Sequence, residues 1–93
     1  MKREEMNKSY LSYAAEIKQE MDRSTDIFGE QNYTPVRWLA IIGKEFGEAC
    51  KAEVNASQAR SCVDYDECLA NYRAELIQLA NVTIKAIMSF DRN

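Results

Sequence analysis

Apolar side chains recur at intervals of three and four along almost the whole chain, and only one proline and three glycines interrupt them. That spacing winds apolar residues onto one side of an α-helix, since side chains three or four apart share a face. Alternating polar and apolar runs and hairpin dipeptides are missing, so strands have no sequence support. The expectation is an all-α fold, and 93 residues make it a single domain over residues 1–93.

Four segments can be read. A first helix is expected from about Arg3 to Ile27, with Tyr10, Ala14, Ile17 and Met21 on one face. The stretch from Phe28 to Tyr33 breaks the pattern. Thr34 then offers a side-chain oxygen as N-cap, and Pro35 suits the first helical position, where a missing N–H costs nothing. This second helix is expected to run to about Asn55. Residues 56–64 read as a loop or short turn, and Asp64 with Glu67 resembles a capping box, with Asp66 as the rival cap, for a last helix ending near Phe90.

A net charge of −3 argues against a broad basic face for nucleic acid. No apolar run approaches the roughly 20 residues of a membrane span and no signal-peptide core follows Met1, so a cytoplasmic location is expected. Cys50, Cys62 and Cys68 lack Cys-x-x-Cys spacing and are expected to be reduced, partly buried thiols. The chain has no histidine, which removes Ser/His and Cys/His catalytic pairs and every imidazole metal site.

Acids in the apolar stripes are what point to chemistry. At about 100° per residue, Trp38, Ile42, Ala49 and Ala52 fall within roughly 60° of Glu45, and Glu48 sits at the edge of that arc. On the last helix, Leu79, Val82 and Ala86 lie within roughly 40° of Glu75, and Gln78 takes the matching edge position. An ionised carboxylate in a core must pair with a cation, coordinate a metal or stay protonated. If the two helices face each other, Glu45, Glu48, Glu75 and the Gln78 amide oxygen form a hard oxygen set suited to Mg²⁺ or Mn²⁺. A second reading stays open: Glu45 pairs with Arg37, Arg73 or Lys85, or faces solvent. Ten glutamates make a Glu-x-x-Glu spacing alone uninformative.

The order of these features resembles a known family. "RWLAIIGKEFGEACKA" followed by "YRAELIQLANVTIKAI" is similar to the MazG-like, all-α nucleoside triphosphate pyrophosphohydrolases, in particular short phage and bacterial members, over roughly residues 28–90. The family signature is Glu-x-x-Glu, a spacer, then Glu-x-x-Asp. Here Glu45 and Glu48 match the first half, Glu75 opens the second, and Gln78 stands where Asp is usual. The resemblance implies a helical bundle completed as a homodimer or homotetramer. It also implies Mg²⁺-dependent cleavage of a nucleoside triphosphate between its α and β phosphates, with Glu45, Glu48 and Glu75 as metal ligands. The neutral amide of Gln78 would weaken such a site, and Lys44, where relatives often carry another acid, would lower its charge further.

Around that set, Arg37 and Lys85 are candidate phosphate contacts, Asn81 a candidate base or sugar contact, and Trp38, with Tyr33, a candidate stacking surface; ordinary packing or ion pairing remains open for each. Ile77, Ile84 and Met88 form a second apolar row on the last helix, for which contact with another subunit is the expectation.

Overall fold

The computed structural model describes residues 2–93, and among them it holds three helices and no strand: α1 (Arg3–Phe28), α2 (Pro35–Ser57) and α3 (Cys62–Arg92). Their starts follow from local chemistry. Thr34 Oγ1 accepts a hydrogen bond from the Arg37 backbone N–H at 3.3 Å, with Pro35 at the first helical position, as the sequence indicated. α3 begins earlier than expected. Its cap is Ser61, whose Oγ accepts from the Asp64 N–H at 3.1 Å, so Asp64 lies inside the first turn instead of capping it. A serine followed three residues later by an acid outcompetes the cap expected further along, because Ser61 lets the helix gain another turn.

α1 ends at Gly29, whose φ of 74° is the left-handed conformation that a side chain would strain, and whose N–H closes on the Thr25 carbonyl at 2.7 Å. The connection to α2 is tied to the end of α3. Ser89 Oγ donates to Asn32 Oδ1 at 3.1 Å, Arg92 Nη2 donates to the Gln31 carbonyl at 3.2 Å, and Arg92 pairs with Glu30 at 3.0 Å.

α3 is the central element. α2 packs antiparallel along one side of it, with Trp38 and Ile42 near Thr83, Ala86 and Phe90 at one end and Ala52 and Asn55 near Cys68 and Asn71 at the other. α1 packs along a different side, parallel to α3: Glu16 meets Arg73, Glu20 meets Gln78, and Ser24 meets Asn81. Among the described residues α1 does not pack on α2. The result is a flat molecule of 48 × 35 × 22 Å.

This arrangement bears on two expectations. Ile77 lines a groove with Glu16, Gln19 and Glu20 of α1, and Met88 lines one with Met21 and Thr25, so two of the three residues of the second apolar row lie beside α1, while Ile84 and Met88 stay exposed. Periodicity shows that a face is apolar but not which helix covers it. Cys50 and Cys62 are exposed and only Cys68 is half-buried; all three thiols are free. No helix of the described residues is long and apolar enough to cross a membrane.

The core is small. Among the described residues the buried apolar side chains are Trp38, Ala49, Ala52 and Ala56. The aromatic ring does most of the filling, at 3% exposure, with its centroid 5.3 Å from that of Tyr33.

Candidate acidic site between α2 and α3

α2 brings Glu45 half into the α2–α3 seam because that residue shares the arc of Trp38, Ala49 and Ala52. Opposite it, α3 presents Glu75, also half-buried. The two carboxyls sense each other. Burial first, then the negative charge of Glu75, pushes the Glu45 carboxyl above the usual carboxylate range; Glu48 adds to the rise, a hydrogen bond with Glu75 contributes last, and Lys44 opposes it. Glu48 is exposed and, with Glu75, lines a cleft of about 300 Å³ whose other polar walls include Lys51, Asn55 and Asn71. Sequence reasoning misses Asn55 and Asn71. Their only signal is a place at the helix rims, with Asn71 one turn before Glu75 and Asn55 two turns after Glu48, and many polar residues share such places.

The cations named as rival partners are engaged elsewhere. Arg37 lies over the Tyr33 ring, 4.1 Å from its centroid, and Arg73 forms a two-pronged pair with Glu16 of α1. Lys85 donates to Ser24 Oγ, and burial, set against the pull of Glu20, lowers its proton affinity. Among the described residues, Glu45 has no ion-pair partner.

Gln78 departs from the expected ligand set. Its amide nitrogen donates to Glu20, on the α1 side of α3, so the structure does not bring it together with the three acids. Glu20 accepts readily because Arg23, bonded to it, holds its carboxyl below the usual range. Asn81 is 1% exposed beneath α1, where its Nδ2 donates weakly to Ser24 Oγ at 3.4 Å and its Oδ1 has no partner. Trp38 is a core side chain whose indole N–H is likewise unpartnered. Asn81 and Lys85 therefore face α1, and Trp38 faces the core.

The donor types fit a hard divalent cation, since carboxylates and amide oxygens are the groups such ions take. Among the described residues, however, no three cysteine, aspartate or glutamate side chains stand close enough together to hold a metal ion as they are placed. No family model matches the chain, and no curated protein or solved structure matches it significantly.

Proposed function

We propose that the chain is a small, homo-oligomeric, Mg²⁺- or Mn²⁺-dependent nucleoside triphosphate pyrophosphohydrolase of MazG-like type. One observation carries the reading: Glu45, Glu48 and Glu75 from two helices share a neighbourhood in which their charges repel, without a protein cation paired to Glu45. A stripe position spent on an uncompensated acid is costly for folding and is suited to a cation supplied from outside.

Glu45, Glu48 and Glu75 would hold the ion, after side-chain rotation brings their oxygens together. Magnesium, when bound, supplies charge neutralisation at the polyphosphate. The reaction adds a water oxygen to the α phosphorus and breaks its bond to the α–β bridging oxygen, releasing a nucleoside monophosphate and pyrophosphate. Glu45 or Glu48 would orient the attacking water. Lys51, on the wall shared by Glu48 and Glu75, is placed to meet a phosphate.

The test is pyrophosphate release from a panel of ribo- and deoxyribonucleoside triphosphates with Mg²⁺ or Mn²⁺. Glu45→Gln and Glu75→Gln are expected to lower kcat/KM by about 100-fold or more; activity unchanged in both variants would refute the assignment. The engagement of Gln78 by Glu20 favours a second reading, a catalytically weak relative that binds and sequesters nucleotides. Nucleotide binding without turnover would select it, and neither binding nor turnover would leave a helical interaction module.

A further inference from the structure

We propose that Lys85 is a nucleophilic amine that captures a small carbonyl compound bearing a carboxylate, as an imine, in the pocket between α1 and α3. The pocket has a volume of about 220 Å³ and lies on the α1 side of α3. Lys85 lines it with Met21 and Thr25 of α1, Met88 three residues further along α3, and Arg92 at the end of that helix. A space of that size takes a molecule of a few carbon atoms and excludes a nucleotide. The site is therefore separate from Glu45, Glu48 and Glu75 and does not depend on the chemistry proposed for them.

The setting of the amine favours its neutral form. Ser24, at 7% exposure, spends its hydroxyl hydrogen on the Met21 carbonyl at 3.1 Å, so its Oγ is left to accept. It receives an N–H from Lys85 and a second, weaker one from Asn81 at 3.4 Å. An ammonium in this half-buried place would need acceptors for its remaining hydrogens, and the carboxylate that acts on it, Glu20, is already bonded to Arg23 and Gln78. Among the described residues Lys85 has no ion-pair partner. Burial weakens its hold on the proton, Glu20 opposes that and Arg23 adds to it. A neutral amine keeps an N–H for Ser24 and has a lone pair for an electrophilic carbon. In the step that follows, Nζ bonds to the carbonyl carbon, both amine hydrogens leave with the carbonyl oxygen as water, and a C=N bond remains. No oxidant or reductant is needed, and the Met21 and Met88 thioethers supply an apolar wall that disfavours the water of the reverse reaction.

The carboxylate follows from Arg92. Its Nε faces Glu30 at 3.0 Å and its Nη2 donates to the Gln31 carbonyl at 3.2 Å, which leaves part of the guanidinium fork for a ligand. Glu30 is exposed, and an exposed pair yields to a competing carboxylate at little cost.

Trapping with sodium cyanoborohydride tests the proposal on the folded full chain at neutral pH. Glyoxylate serves as the carboxylate-bearing probe and propanal as the neutral one, with peptide mass spectrometry to count reduced adducts at each lysine. With either probe at limiting concentration, Lys85 is expected to carry at least about 10-fold more adduct than the mean of the exposed Lys2, Lys8, Lys18, Lys44 and Lys51, and to lose that lead in urea. Its ratio of glyoxylate to propanal adduct is expected to exceed theirs by about 5-fold or more and to fall to theirs in Arg92→Gln. Labelling of Lys85 at or below the level of the exposed lysines in the folded chain overturns the proposal, and a probe ratio equal at all lysines overturns the carboxylate assignment. If Arg92→Gln does not fold, the wild-type adduct map decides alone.

Discussion

Protonation of Glu45 sets a sign that can be measured. Its folded-state proton affinity is raised above the ordinary value of 4.5, chiefly by burial and by Glu75. The ionised form therefore costs stability at pH values above the raised one, and the cost vanishes as pH falls below about 4.5, where both folded and unfolded chains hold the proton. In the absence of divalent ions, Glu45→Gln is expected to be more stable than the wild type at neutral pH and to lose that advantage in acid. Urea titrations at the two pH values check this, and adding Mg²⁺ is expected to stabilise the wild type more than the variant. The position of Glu45 was legible from the sequence because a helical stripe fixes angle. The partners of Gln78, Asn81 and Lys85 were not, because angle does not say which neighbouring helix stands there.

At the scale of the elements, the starts of α2 and α3 each depend on a single side-chain oxygen. Ser61→Ala removes the α3 cap and is expected to cost about 1 kcal/mol in chemical denaturation, whereas Glu67→Ala, a member of the box expected from sequence, is expected to cost less. The three helices and the Thr34–Pro35 start could be read directly, since each rests on residues close together in the chain. Sequence reasoning places the start of α3 too late because two acids and a serine compete within a few positions, and the winner depends on how the loop after α2 turns.

For the molecule as a whole, stability is distributed unevenly. Among the described residues α1 packs only on α3, and its Tyr10, Leu11 and Tyr13 are exposed. Amides near the start of α1 are expected to exchange hydrogen fastest, and those of α3 from Leu79 to Ala86, flanked by both other helices, slowest. Uniform protection along α1 would contradict this. The central position of α3 was not legible, because it arises from the parallel course of α1, a long-range choice that local periodicity does not encode.

That parallel course separates Lys2 and Asn93 by nearly the length of α1, about 39 Å for its 26 residues. Circular permutation of this chain therefore requires a bridging peptide of at least about a dozen residues. The new termini would best be cut at residues 58–61, where the backbone leaves one antiparallel rod and has yet to enter the next.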